Sequence, residues 1–580
     1  MIRSFRAAIL IALIFNAKDA FAATTHYISK SLGADTKQRG STERVFGRAA
    51  RKGDGAMRGL FRLLLVLFLF SPALRAACPS GNQTIDPLGN PIPIANVGVT
   101  GTITGSITSC FFVSKATGAD TNTGLDENNA WAHLPGMPSC TNTCASHTPA
   151  PGEGFILRGG DAWVSSDLPL SWPQNGTSTN PIYIGVDKNW FNASCGGSWC
   201  RPIFNATGSN GSILSFVNRS WVIADNIEIT GMNNSQSGCR MTGGSNVRCT
   251  QLYFHAWTHT GTTNNVGFFT QCGAGSMVDH NVADGSDSTK NTMNGVFITC
   301  AGTVQYNYFN FMVSGILGSV DNVNNNIVEN AVNSADGDHC NGFFTFGPAS
   351  GTVLYFYNNI ERGMSCAGGV NVWITGNSTC AGCTAWVYNN IVEPSAASGN
   401  TVNIGGHATF GDTGTYHVYN NVVSALNGGT CFGNGATPPR SITNFGNNHC
   451  INTSKICDNT GTTCVDKGGN LGQSLAVANG QGYTNTETEW YSPANTCTPG
   501  PCSTLRAGIN QTSLCTGNVT ALCRAITYPA YNSTNHTMGI SNVAPAGTPR
   551  GSTWDVGSYQ FSGSGAQAPQ PPTGLLATVQ

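Results

Sequence analysis

Charge is scarce in this 580-residue chain: 28 Lys and Arg and 29 Asp and Glu make up only 10% of it. Helix formers are scarce as well, and no apolar pattern with a 3.6-residue period persists for ten residues, which excludes helical repeats. There is no Gly-x-Ser-x-Gly elbow, Walker loop or His-Glu-x-x-His helix, so the sequence offers no ground for the chemistries those motifs serve. Two apolar runs, Ala7 to Phe15 and Leu60 to Phe70, fall short of a bilayer-spanning helix. What is abundant is Gly, 72 residues, together with Asn, Thr and Ser, the composition of short strands and tight turns.

One phrase recurs among them: Asn325-Asn326-Ile327-Val328, Tyr357-Asn358-Asn359-Ile360, Tyr388-Asn389-Asn390-Ile391 and Tyr419-Asn420-Asn421-Val422, with a weaker copy at Asn447-Asn448-His449. The second Asn returns after 33, 31, 31 and 27 residues, the signature of a solenoid. Each phrase ends in an Asn that tolerates the left-handed backbone region and leads into β-branched residues, which predicts a tight turn feeding a short strand. Single-Asn versions at Asn226, Asn281 and Asn307 predict that the solenoid begins well before residue 320. A β-solenoid absorbs several hundred residues because each coil packs on its neighbours.

The N-terminus carries two export-like segments. Residues 1–22 and 57–77 each combine a basic start, an apolar run and a small-residue ending. We read Met57 as the start and 57–77 as the signal peptide, with 1–56 a mis-assigned extension; the alternative is a signal peptide at 1–22. All 22 Cys lie from Cys78 onward, several as close pairs such as Cys140/Cys144, Cys380/Cys383 and Cys515/Cys523. That placement predicts disulfides in a secreted or cell-surface protein rather than a zinc site. Of the Lys and Arg, 13 precede residue 78, leaving 15 against 25 acidic residues in the mature chain. An acidic chain with scattered cations is a poor partner for nucleic acid or anionic membranes.

Residues 78–109 read as a turn-rich opening segment. A strand ending in Val113-Ser114, the loop Gly118 to Gly124, Trp131 to Leu134, Leu157-Arg158-Gly159-Gly160-Asp161-Ala162-Trp163 and Pro181-Ile182-Tyr183-Ile184 then follow. Near the end come Pro549-Arg550-Gly551-Ser552 and Trp554-Asp555-Val556-Gly557. Together these resemble the first and last coils of secreted right-handed parallel β-helix proteins of the pectate-lyase-like superfamily. The resemblance covers about 110–561 and implies an all-β, single-stranded parallel β-helix. It leaves activity open, since that superfamily holds lyases, hydrolases, epimerases and binders. Polygalacturonase-like Gly-His-Gly and pectate-lyase-like Trp-Ile-Asp-His are absent. Residues 562–580 read as a linker and the truncated start of a fibronectin type III-like strand.

A second repeat marks where chemistry could sit. Ala283-Asp284-Gly285-Ser286-Asp287, followed by Asn294-Gly295-Val296-Phe297, resembles Ala335-Asp336-Gly337-Asp338-His339, followed by Asn341-Gly342-Phe343-Phe344. Stacked in neighbouring coils about 4.8 Å apart, these would share a face. Asp336, Asp338, His339, Lys290 and Arg362 are the candidate catalytic residues; Asp284, Asp336 and Asp338 are candidate Ca²⁺ ligands. Clustered carboxylates shift one another's pKa for glycosidic hydrolysis, or hold Ca²⁺ while Lys290 or His339 removes a proton for β-elimination. The structural alternative is that Asp-Gly simply makes turns. His407 with Asp412 forms a weaker pair, and Arg362 is expected to pair with Glu361 or solvent. Trp131, Trp163, Trp172, Trp190 and Trp199 read mainly as caps on the core. The expected function is a polysaccharide lyase or glycoside hydrolase; the alternative is a non-catalytic solenoid that binds glycans or proteins.

Overall fold

A computed structural model of the chain describes residues 78, 83–85, 91–93, 107–187, 190, 200–209, 211–233, 237–258, 267–288, 294–297, 300–331, 341–345, 350–363, 372–374, 382–393, 402–404, 413–433, 441–459, 462–481, 503–527, 529–540 and 547–560. All of them belong to the compact unit Arg75–Gln580. Short strands stack in three rows, one strand from each row per coil. Among the described residues the first sheet has thirteen strands, all parallel, from Ser109–Val113 and Glu153–Leu157 to Thr462–Asp466. The second row includes Glu228–Thr230, Tyr253–His255, Val282–Asp284, Tyr308–Asn310, Ile327–Glu329 and Ile360–Arg362. The third includes Gly267–Thr270, Asn294–Phe297, Ser314–Gly318, Asn341–Thr345 and Val372–Ile374. The long strands Val422–Gly433 and His449–Cys457 join the second and third rows into one sheet. The chain is thus a parallel β-helix, the class expected from its sequence.

Strand alternation decides what is inside. In the second row the middle residues Phe254, Ala283, Phe309, Val328 and Val392 belong to the main core, while their neighbours Tyr253, Val282, Tyr308, Ile327, Ile360 and Ile391 form an outer apolar strip. Ile526, Met538 and Tyr559 cover that strip. The described residues of 503–560 therefore lie along the outside of the solenoid, whose described parallel strands run from Ser109–Val113 to Leu471–Gln473.

The recurring Asn pairs divide two tasks. The first member holds the left-handed conformation, with φ of 54° or 55° at Asn325, Asn358, Asn389, Asn420 and Asn447. This corrects the expectation that the phrase's final Asn does so. The second member builds a ladder. Asn359 donates from Nδ2 to Val323 O at 3.0 Å and Asn390 Oδ1 at 3.1 Å, while its Oδ1 accepts from Asn326 N and Nδ2. The same bonds run through Asn281, Asn307, Asn326, Asn390, Asn421, Asn448 and Asn470. Each buried amide has its hydrogen-bonding capacity filled by adjoining coils. At Asn226 the single Asn is the left-handed residue, so that coil contributes no rung.

Trp131, Trp163, Trp172 and Trp190 are buried, so they serve the core rather than a ligand; Trp199 lies outside the described residues. Disulfides join Cys78–Cys110, Cys140–Cys144, Cys239–Cys249, Cys431–Cys450, Cys457–Cys464 and Cys515–Cys523, and Cys383 is also disulfide-bonded. Among the described residues no helix is long and apolar enough to cross a membrane.

Candidate acid–base site on the second sheet

The outward face of the second row gathers titratable side chains where the hairpin of Pro529–Asn532 and Thr537–Ile540 packs against it. Register places His255, Asp284, Asn310 and Glu329 in successive coils of one row. His255 lies between two carboxylates: its Nε2 is 3.0 Å from Glu228 Oε1 and its Nδ1 is 2.9 Å from Asp287 Oδ2. Asp287 Oδ1 also accepts from Ala256 N at 2.8 Å, which fixes the carboxylate. Burial works against charge on His255, but hydrogen bonds and attraction from Glu228 and Asp287 outweigh it and raise its pKa. Both ring nitrogens then donate, so this imidazole is a held proton source.

A second imidazole comes from the hairpin. His536 Nδ1 is 2.8 Å from Tyr531 Oη, and Tyr531 donates to Asp284 Oδ2 at 3.3 Å. A carboxylate can only accept, so the tyrosyl proton points to Asp284 and Nδ1–H of His536 donates to Tyr531. That leaves Nε2 of His536 as the unprotonated nitrogen. Burial, then the nearby Arg201 charge, lowers the His536 pKa, with Asp284 opposing. Arg201 sits in place by donating to Asn535 O at 3.1 Å and His536 O at 2.9 Å.

Aromatic stacking sets the spacing of the two imidazoles. The Tyr253 ring stacks on His255 with centroids 4.5 Å apart and on His536 with centroids 4.1 Å apart, and Tyr531 stacks on Tyr308 at 3.9 Å. Burial, then Asp284, raises the pKa of both Tyr253 and Tyr531, so both hydroxyls stay protonated at neutral pH. The result is a neutral and a protonated imidazole separated by one ring. Environments that push two like groups apart in pKa assign them opposite roles in proton transfer.

The residues singled out from sequence divide between this site and positions outside the described residues. Asp284 is in the site: its Oδ1 accepts from Ser286 N at 3.0 Å and Asn310 Nδ2 at 2.9 Å, besides the Tyr531 contact. Asp287 is also there, on His255. Lys290, Asp336, Asp338, His339, His407 and Asp412 lie outside the described residues. The expected adjacency of the two Asp-Gly copies needs correction. Asn294–Phe297 pairs with Ser314–Gly318, which in turn pairs with Asn341–Thr345, so the copies are two coils apart. The single-Asn turn at Tyr306-Asn307 marks the intervening coil.

Arg362 is placed differently from its expected pairing. It is buried and bonds Glu329 Oε2 at 2.5 Å, because Glu361 and Arg362 are strand neighbours and point to opposite faces. Burial works against its charge, yet Glu329 and Glu393 outweigh it and raise its pKa. Tyr308 Oη donates to the same Glu329 carboxylate. Glu361 occupies the interior position between Val328 and Val392, with neither carboxyl oxygen hydrogen-bonded. Burial, then Glu393, raises its pKa well above the usual carboxylate range. Arg362→Met removes the cation facing Glu329, and we expect a loss of about 3–5 kcal/mol. Chemical denaturation measures it, and an unchanged midpoint would show that the pair contributes nothing.

Among the described residues no three His, Cys, Asp or Glu side chains are arranged to hold a metal ion. Asp284, the one described member of the expected Ca²⁺ set, has both oxygens engaged by protein donors.

Neither the protein-family models nor the curated proteins match the chain in sequence. Similar solved structures include a GH136 lacto-N-biosidase from Eubacterium ramulus, at 12% identity over 63% of this chain and 68% of that one, with a TM-score of 0.40. The PL6 family alginate lyase AlyGC is similar at 13% identity over 57% of this chain and 51% of that one, TM-score 0.35. The PL6 polysaccharide lyase Pedsa3628 from Pseudopedobacter saltans is similar at 12% identity over 56% and 89%, TM-score 0.35. At these values the likenesses carry no argument about chemistry, and the fold rests on the strand pairing itself.

Proposed function

We propose that the protein is an extracellular carbohydrate-active enzyme that breaks glycosidic links in a polysaccharide by paired acid–base catalysis. The observation that carries the reading is the pair of imidazoles on Tyr253, one held protonated by Glu228 and Asp287 and one held neutral beside Arg201. His536 Nε2 takes the proton, from water in hydrolysis or from the sugar carbon in elimination. The proton that the leaving oxygen needs comes from His255 by way of Asp287, the half-exposed carboxylate on its Nδ1, since both N–H groups of the ring are taken by carboxylates. Asp284, through Tyr531, orients His536 and stabilises its charged form.

The test is incubation of the exported protein with a panel of neutral and uronic polysaccharides, read by new reducing ends and by ultraviolet absorbance of unsaturated products. Reducing ends without absorbance identify a hydrolase; both together identify a lyase. No product on any member, with glycan binding retained, would support a non-catalytic solenoid instead. Chelation discriminates further. Activity is lost if cleavage depends on a bound Ca²⁺ that neutralises a uronic carboxylate, and retained if the imidazole pair acts without it.

A further inference from the structure

The outward face of the first sheet carries a second set of aromatic side chains that the acid–base site does not use. Strand register puts Tyr355, Trp386 and His417 in one row, with Asn322 before it and Asn444 after it. Tyr357, Tyr388 and Tyr419 form the row beside it; Val353, Thr384, Thr415 and Ile442 form the row on the other side. Trp386 and His417 stack with centroids 4.0 Å apart, and Tyr357 and Tyr388 with centroids 4.8 Å apart.

This strip is uncharged and has a wall. None of the named residues in its three rows is acidic or basic apart from His417, whose pKa is pushed down to about 4, by burial and then by Lys467. It is therefore neutral at physiological pH. Along one side Leu514, Val519 and Leu522 pack with Tyr388 and Tyr419, and Asn518 Nδ2 reaches Tyr355 Oη at 3.5 Å. The opposite side is open, with Val353 36% and Ile442 45% exposed. Tyr355, Trp386 and His417 are themselves partly exposed between wall and edge.

We infer that this walled strip is a binding platform for a neutral polysaccharide, separate from the acid–base site. The apolar faces of sugar rings pack on aromatic rings, and sugar hydroxyls find partners in the Asn322, Asn444, Thr384 and Thr415 side chains. A row running across the coils, at about 4.8 Å per rung, suits an extended chain laid along the solenoid axis. The strip's rows hold no cation, and the one positive charge felt there, that of Lys467 at His417, gives a polyanion no line of partners along its length. The platform lies on a different sheet from His255, so it acts as an anchor whatever reaction that site performs.

The experiment is affinity electrophoresis of the full chain through gels containing β-glucan, mannan, starch or polygalacturonate. The wild type is expected to be retarded by at least one neutral polymer and not by polygalacturonate. Trp386→Ala and Tyr355→Ala should each weaken that retardation about fivefold to tenfold. Because Trp386 packs against its neighbours, Val353→Glu and Ile442→Glu are tested as well. They keep every ring but place charge on the open edge, and should weaken binding without changing the melting temperature. His255→Gln leaves retardation intact, which separates failure of the catalytic reading from failure of this one. Passage through every neutral gel without retardation, retardation by polygalacturonate alone, or undiminished retardation of all four strip variants would overturn the proposal.

Discussion

Asn390→Ala should lower stability by about 3–5 kcal/mol, a large effect for one side chain. The substitution deletes the bonds from Nδ2 to Phe356 O and Asn421 Oδ1, and strips Asn359 N and Nδ2 of their acceptor. All of these partners are buried and water cannot replace the lost bonds without opening a coil. The neighbouring substitution behaves differently. Asn389→Gly keeps the left-handed turn that Asn389 adopts at φ 55°. It loses side-chain bonds to Ala521 O and Arg524 O and the one accepted from the buried Arg550 guanidinium, together worth about 2–3 kcal/mol. Guanidinium unfolding ranks the two. Hydrogen exchange places the damage: amides of the coils at 354–362, 385–392 and 416–423 should lose protection while those near 182–186 keep theirs, since a solenoid couples mainly neighbours. Equal midpoints for the two variants would remove the ladder from its central place in the fold.

The second large effect concerns activity. His536→Gln should lower the rate by about 10²–10⁴-fold, the range that general acid–base catalysis supplies, and His255→Gln by a similar factor. Glutamine preserves hydrogen bonding but cannot exchange a proton, so melting temperatures should move little. The pH dependence follows from the two shifts. His536 must be neutral and its pKa is lowered from 6.5, so it loses activity only as pH falls below that value. His255 must be protonated and its pKa is raised from 6.5, so activity declines only as pH rises above that value. The rate profile is therefore a bell with a plateau around 6.5, and each variant should flatten one limb. Tyr531→Phe tests positioning: it cuts the link from Asp284 to His536 and should lower the rate about tenfold while moving the acid limb.

Much of the scaffold was legible because its physics is local and repeated. An Asn-Asn-Ile phrase at each corner records one left-handed residue and one ladder rung, and its recurrence needs no long-range knowledge. The assignment of tasks within the pair was not legible, since either Asn tolerates positive φ; packing of the second against the next coil decides it. The Asp-Gly copies misled for a related reason. Sequence similarity aligned Asp284 with Asp336, whereas hydrogen bonding counts every coil, including the plainer one at Ser314–Gly318.

The imidazole pair was invisible from sequence because its members come from different layers of the molecule. His255 sits on a solenoid strand and His536 at a hairpin turn, where its φ is 49°. Each is a lone His with nothing beside it in the sequence to mark it. The only signal available was Tyr253-x-His255, two rings on one strand face, and that pattern is equally that of a packed surface. Trp386 carries as little sequence signal: the cluster of five tryptophans lies early in the chain, and those of them described are buried.

The most direct test of the catalytic account is the pH–rate profile of His536→Gln beside the wild type, on whichever polysaccharide the panel shows to be cleaved. The wild type should show a bell and the variant a rate lower by about 10²-fold or more with the acid limb gone. A variant that keeps the wild-type rate and both limbs would contradict it, and would reduce the His536–Tyr531–Asp284 contacts to a clasp holding the hairpin on the solenoid.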